Sequence, residues 1–210
     1  AASIAHEIRN PLGGIELFAS LIKRASSEKE KELCDKILSG VSRLNRIVED
    51  LLNYAKDFVP QLEEINLNSF FESLKDYIAT DCEKKAVSFV LNDDKDVVSF
   101  VGDKGMLFQV FLNLLKNGVQ AAPENGKVKL TLRKEKNGLV FSVEDNGEGI
   151  SSENRDKIFQ PFFTTKSTGS GLGLAIVGRY VEANSGSITV SNSDLGGAKF
   201  EVLLPFVNLK

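Results

Sequence analysis

Long apolar runs are missing from this chain. Nowhere do about 18 apolar residues follow one another, so no segment is built to cross a membrane as a helix, and none reads as a signal peptide. Cysteine is scarce: Cys34 and Cys82 lie far apart and make neither a disulfide framework nor a metal cluster. Both read as small buried hydrophobes in a reducing compartment, so a cytoplasmic location is expected. A surplus of positive charge is missing too. The 26 basic and 29 acidic residues leave a net charge of -3, which argues against a protein that coats nucleic acid. There are no internal repeats, and there is a single histidine, His6. What is present is an ordinary soluble balance, 42% hydrophobic and 26% charged, over 210 residues. That length suits one large domain or two small ones.

The pattern changes once along the chain. From the start to about residue 58 the apolar residues keep a helical period. Ile4, Ile8, Leu12, Ile15, Ala19 and Ile22 form one stripe. After the polar stretch Ser26 to Glu30, a second stripe runs Leu33, Ile37, Leu44, Val48, Leu51 and Ala55. Two helices joined by a polar turn make a hairpin. Stripes this wide are poorly hidden in a lone hairpin, whereas two copies docked as a four-helix bundle would cover them; a homodimer is therefore expected, the alternative being a hairpin that merely packs on the second domain. Ala1 to His6 reads as helix interior with no cap ahead of it, so the chain is expected to be part of a longer protein. Soluble and membrane-anchored parents are both compatible with it, and the chain itself is expected to make no membrane contact.

Pro60 and the polar residues after it read as a connector over 59–66. Beyond it, 67–210 mixes helices and strands. The pattern predicts helices over 67–85, 104–122 and 172–183. It predicts strands over 87–91, 97–100, 127–135, 139–143, 187–191 and 198–204, with the third and fourth joined through Asn137-Gly138. Helices and a mixed sheet in two layers give an α/β sandwich.

The first helix carries an unusual cluster. His6 and Glu7 are adjacent, Asn10 lies one turn beyond His6, and Pro11 removes an amide that would bond back to position 7. An imidazole can attack a phosphoryl group. A neighbouring carboxylate can hold or accept the opposite ring proton, and an amide one turn away can orient a water for the reverse hydrolysis. Arg9 can pair with phosphate or stay a solvated charge. His6-Glu7-Ile8-Arg9-Asn10-Pro11-Leu12 resembles the phosphoacceptor box of sensor histidine kinases. The resemblance implies that His6 is autophosphorylated, that Glu7 assists proton transfer and that Asn10 supports dephosphorylation of a response regulator receiver domain.

Four later segments carry further chemistry. Asn113 and Asn117 share one helix face with Lys116 beside them. Two such carboxamides can form a polar patch, or can offer neutral oxygens to magnesium and phosphates. Asp145-Asn146-Gly147-Glu148-Gly149 follows a strand and reads either as a plain turn or as an aspartate facing a pocket, able to accept from an exocyclic amine. Phe159 to Lys166 is too apolar for a simple solvent loop. Ser167 to Leu174 is a glycine-rich lead into a helix, a backbone suited to phosphates. It is neither a dinucleotide fingerprint, since no strand precedes it, nor a P-loop, since the Gly-Lys-Ser/Thr ending is absent.

In order, these segments resemble the ATP-binding domain shared by histidine kinases, type II topoisomerases, Hsp90-class chaperones and MutL-type proteins. The implied fold is an all-α hairpin, a four-helix bundle on dimerisation, followed by an α/β two-layer sandwich of the histidine kinase/Hsp90-like ATPase type. The implied ligands are ATP and Mg2+. By resemblance Asn117 is the magnesium ligand, Asn113 and Lys116 lie near the phosphates, and Asp145 binds the adenine amine against Gly147 and Gly149. Phe159 and Phe162 anchor a lid, Lys166 reaches the phosphate chain, and Gly169, Gly171, Leu172 and Gly173 wrap it. Two positions depart from the family pattern: Gly118 for alanine and Ala198 for threonine. Neither is expected to touch a catalytic group. The expected function is ATP-dependent phosphorylation of His6 and transfer to a response regulator aspartate. A regulator phosphatase and a non-catalytic ATP-binding dimerisation scaffold are the alternatives. A serine kinase is excluded by the missing His-Arg-Asp and Asp-Phe-Gly motifs.

Overall fold

The computed structural model describes the backbone of residues 2–25, 27–55, 59–94, 96–166 and 170–207. The side chains of 2–11, 25, 43, 46, 49, 50 and 53–55 fall outside the described residues. The expected roles of His6, Glu7, Arg9 and Asn10 therefore rest on side chains outside the described residues, and Gly169 lies outside them altogether.

Helices α1 (Ala2–Ala25) and α2 (Glu28–Ala55) form the hairpin, and α1 continues through Pro11. The reciprocal half of a capping box starts α2. Glu30 reaches back to accept from the Ser27 amide at 2.8 Å and the Ser27 hydroxyl at 2.7 Å. These bonds hold the Glu30 carboxyl below its ordinary range. The apolar residues then divide between two surfaces. Leu12, Ala19, Cys34, Val41 and Val48 are buried, spaced by sevens along each helix. Ile15, Phe18, Ile22, Leu33, Ile37, Leu44 and Leu51 all remain exposed, Phe18 at 64%. The hairpin thus consumes one seam and leaves a second uncovered. Among the described residues no helix is long and apolar enough to cross a membrane.

The remaining chain is a two-layer sandwich. A five-stranded sheet has the order β2 (Ser88–Asn92), β4 (Lys127–Glu135), β5 (Gly138–Asp145), β7 (Ala198–Pro205), β6 (Ser187–Asn192). Only β2 and β4 run parallel; the other neighbours are antiparallel. A small antiparallel pair joins β1 (Glu63–Asn66) to β3 (Ser99–Gly102). Helices α3 (Leu67–Lys85), α4 (Lys104–Ala121) and α6 (Gly173–Ala183) contribute buried faces to the shared core, and the single turn α5 (Ser152–Arg155) lies between β5 and α6. Alternation along β4 buries Val128, Leu130 and Leu132. Phe111 of α4 meets Phe141 of β5 at a centroid distance of 4.7 Å, and Phe70 of α3 packs edge-on against Phe111 at 5.9 Å. This aromatic cluster locks α4 onto the central strand.

Each predicted helix and strand is present, with three shifts. The strand expected over 97–100 is β3, two residues later. Val97 instead closes a turn by donating to the Asp94 carbonyl, and Val98 is 64% exposed. The β4–β5 turn is Lys136-Asn137 rather than Asn137-Gly138, and neither Asn137 nor Gly138 has positive φ. Gly138 is required by close approach, since a Cβ there would lie 2.2 Å from the Leu204 carbonyl oxygen of β7. Residues 63–66, read as connector, form β1.

The start of α4 is tied on three sides. Asp103 caps it, accepting from the Met106 amide at 2.9 Å, an arrangement worth about 1 kcal/mol. The second Asp103 oxygen accepts from the Gln61 amide at 2.8 Å, and the Asp103 amide donates to Asn184 at 2.8 Å. Connector, α4 and the end of α6 thus meet at one residue. At the other end of α4, the Lys85 ammonium donates to the Val119 and Gln120 carbonyls at 3.2 and 2.7 Å, satisfying terminal acceptors of the helix.

Candidate nucleotide site

The site grows from the join of α4 with the end of β5. Asn113, Lys116 and Asn117 are half-buried on α4, while Leu112, Leu114, Leu115 and Gly118 are buried. A Cβ on Gly118 would stand 3.3 Å from both Val128 methyls and 3.6 Å from Asp145 Cβ. The small residue lets α4 settle onto the sheet where β5 ends in Asp145.

Asp145 is the centre of the arrangement. It is 4% exposed, and its Oδ1 accepts from the Gly147 amide at 2.8 Å and the Ala198 amide at 3.3 Å. Two glycines close around it, and a third shapes the loop beside them. Added to Gly197, a Cβ would lie 2.1 Å from Asp145 Oδ1; added to Gly147, 2.5 Å from the Ala121 carbonyl oxygen. Gly149 has φ +73°, a left-handed conformation that favours glycine. Burial pushes the Asp145 carboxyl above its ordinary value, against the pull of the Gly147 and Ala198 amides and the Lys166 ammonium. Gly118 and Ala198, the two departures from the family pattern, border this site. Both touch Asp145, one through its missing side chain and one through its amide. Gly197 is part of the same cradle.

Lys166 reaches this region from the other side. Its Nζ donates to Gln120 Oε1 at 2.8 Å and, more weakly, to Asn117 Oδ1 at 3.4 Å. The residue is exposed as a whole, yet its ammonium is held by these two carboxamides. Burial lowers its pKa, Asp145 opposes that shift, and Lys85 adds to it. Gln120 had no signal in sequence beyond lying one helical step from Lys116 and Asn117.

The segment before Lys166 is held unevenly. Phe159 is half-buried and meets Phe200 edge-on at 6.4 Å. Phe162, expected to anchor the segment alongside it, is instead 62% exposed with φ +66°. Phe163 takes the inward position against the core. Position 162 is pinned through its backbone: a Cβ on Gly171, itself at φ +69°, would lie 2.4 Å from the Phe162 carbonyl carbon. Leu172 is fully buried and accepts at its carbonyl from the Ile176 amide at 2.9 Å, while Gly173 opens α6 onto free space. Beside the Asp145 loop, a polar cleft of about 590 Å³ opens between Gly149, Arg155 and Ser193, away from Asn113 and Asn117.

The arrangement provides a buried acceptor in a glycine cradle, neutral oxygens on one helix face, and a cation poised over them. Residues 102–208 match the family described as histidine kinase-, DNA gyrase B-, and HSP90-like ATPase, and residues 1–57 match the His kinase A phospho-acceptor domain. The chain belongs to the two-component sensor histidine kinases, with a phospho-acceptor hairpin and an ATP-binding domain of that family. It is similar to signal transduction histidine-protein kinase AtoS of Escherichia coli, 34% identical over 206 residues that cover 97% of this chain and 34% of that one. It is also similar to sporulation kinase A of Bacillus subtilis, 34% identical over 98% of this chain and 34% of that one. The chain spans about a third to just under half the length of the curated relatives it matches. Among solved structures, full-length ShkA in complex with AMPPNP aligns with a TM-score of 0.84 and 27% identity over 99% of this chain and 46% of that one. Histidine kinase ThkA in complex with response regulator TrrA aligns with a TM-score of 0.75 and 32% identity, over 98% and 60%.

The raised pKa of Asp145 has a sign that can be tested. A carboxyl that binds its proton more tightly when folded favours the fold at low pH, and that advantage is lost as pH rises through the folded pKa. At pH 7 the buried Asp145 therefore costs stability. Asp145→Asn keeps the Oδ1 acceptor and drops the charge. Its urea midpoint is expected to exceed that of the unaltered chain at pH 7, with the gap closing as pH falls from the raised folded pKa toward the ordinary value near 3.8. Equal midpoints at pH 7 would refute this reading.

Proposed function

We propose that this chain phosphorylates His6 from ATP and passes the phosphoryl group to an aspartate of a response regulator receiver domain. The observation that carries the nucleotide half is the buried Asp145 acceptor in its cradle of Gly118, Gly147 and Gly197. A fixed, buried acceptor suits the exocyclic amine of adenine. The residues present fit a magnesium nucleotide as well: Asn117 Oδ1 already accepts from a cationic group. Asn117 would hold the ion, which supplies charge neutralisation to the phosphates; Asn113, Lys116 and Lys166 would contact the phosphate chain. Gly147, Gly149, Gly171, Leu172 and Gly173 would shape the walls with Phe159 and Phe162, and Gly169 would belong to the same wrap. The nucleotide held in the structure of ShkA, and the family match over 102–208, support this reading.

On the hairpin, an imidazole nitrogen of His6 attacks the terminal phosphorus of ATP and ADP leaves. Glu7 takes or holds the proton of the other ring nitrogen, and Asn10 orients a water for the reverse reaction on the phosphorylated regulator. Residues 1–58 are the phosphotransfer unit and 67–210 the catalytic unit. Because His6 and the nucleotide site sit on different units joined by a connector, catalysis requires the second to swing onto the first. The complex of ThkA with its regulator supports a receiver domain as partner.

The test uses terminally labelled ATP with magnesium. Label is expected on the protein, lost in acid and kept in alkali. His6→Gln should abolish labelling while ATP affinity holds. Glu7→Gln should slow labelling, and Asn10→Ala should spare it while dephosphorylation of a phospho-regulator falls. Acid-labile label on His6→Gln would overturn the proposal, since no other histidine exists in the chain.

The uncovered seam of Ile15, Phe18, Ile22, Leu33, Ile37, Leu44 and Leu51 supports a homodimer with a four-helix stem. Light scattering should give a mass near twice 23.0 kDa. Leu44→Glu or Leu51→Glu should shift it toward the monomer by burying an unpaired charge. A monomer at tens of micromolar would contradict the stem.

A further inference from the structure

The contact between Lys166 and α4 has a consequence beyond phosphate binding. We propose that Gln120 is a positioning residue that parks the Lys166 ammonium on α4, so that the ammonium and a magnesium ion compete for the same oxygen of Asn117. The inference rests on the nucleotide reading above and extends it to a residue outside that set.

The geometry is specific. Lys166 Nζ lies 2.8 Å from Gln120 Oε1 and 3.4 Å from Asn117 Oδ1, so the stronger bond is to Gln120 and the weaker one to the proposed metal ligand. Gln120 and Asn117 are three residues apart on α4, which places both carboxamide oxygens on one helix face, close enough for one ammonium to span. The backbone that presents Lys166 is also fixed. Its amide donates to the Thr164 hydroxyl at 3.1 Å, and Phe163 packs inward just before it. At the end of α4 the Gln120 carbonyl accepts from Lys85 at 2.7 Å, which holds the backbone that carries Gln120. An ammonium and a metal ion are alternative cations for a carbonyl-type oxygen, and like charges exclude one another at hydrogen-bond distance. Occupancy of Asn117 Oδ1 by Lys166 is therefore one state of a two-state switch. Its counterpart has the metal on Asn117 and the lysine released toward phosphate. Gln120 contributes only to the first state, since it holds the lysine back.

Two substitutions at this exposed position move the balance in opposite directions. Gln120→Met keeps the length and removes the acceptor; Gln120→Glu makes the acceptor anionic and the contact stronger. Hydrogen exchange of the amides in 159–166, measured on the whole chain without nucleotide, should speed up about three- to tenfold in Gln120→Met, the range of one net hydrogen bond, and slow in Gln120→Glu. Calorimetry with magnesium ATP should show a Kd lower by a similar factor in Gln120→Met and higher in Gln120→Glu. A merely structural role for Gln120 would not reverse sign between these two variants. Exchange unchanged in both variants overturns the proposal, as does weaker magnesium ATP binding in Gln120→Met, which would make Gln120 a nucleotide contact. Exchange that shifts without any change in Kd overturns it too, because the competition would be absent. An unaltered chain that binds no nucleotide, with exchange shifted as expected, upholds the clamp and overturns the nucleotide reading instead.

Discussion

The buried carboxylate of Asp145 constrains more of this molecule than any other group. Left alone at that depth, an ionised carboxylate is expensive, and the surroundings offset only part of the cost. Two amides donate to one of its oxygens, and Lys166 supplies a distant positive charge. Those amides reach it only because Gly147 and Gly197 bring backbone to a distance no side chain permits. Gly118 lets α4 close on the same point, so the helix bearing Asn113 and Asn117 is placed relative to Asp145 by absent side chains. The aromatic cluster of Phe70, Phe111 and Phe141 fixes the same helix from the core side. The fold thus tolerates a group that weakens it where that group can recognise a ligand.

The hairpin obeys a different economy. Its inner seam of Leu12, Ala19, Cys34, Val41 and Val48 is small, consistent with two helices at close range. The larger apolar side chains lie on the outer seam, where one hairpin offers them no cover. This division explains why a chain with a well-formed catalytic sandwich also carries a long apolar strip on its N-terminal helices. The Asp103 junction links the connector to the start of α4 and the end of α6, so residue 61 is tied to both helices that border the site.

Much of this was legible in the sequence, because the signals were local. The three- and four-residue intervals of Ile15, Leu44 and Leu51 marked helices, and the alternation at Val128, Leu130 and Leu132 marked a strand. Asn113 and Asn117 announced a shared face by their spacing. What was not legible was contact between distant segments. Gly138 looked like turn chemistry but is needed because β7 passes close to it. Gly118 and Ala198 looked like neutral departures, yet residues far along the chain bring both against Asp145. Phe162 had the composition of an anchor and is exposed, while Phe163 next to it turns inward, a difference set by backbone φ rather than by residue type. Gln120 gained meaning only when Lys166 was seen to lie over it.

The central claim is that the Asp145 cradle binds the adenine of ATP, and titration calorimetry of the intact chain with magnesium ATP tests it most directly. The unaltered chain should bind with measurable heat, and Asp145→Ala should lose at least about tenfold in affinity, the scale of one charged hydrogen bond removed from a buried site. Equal affinity in the two proteins would contradict the claim and move the nucleotide to another part of the molecule.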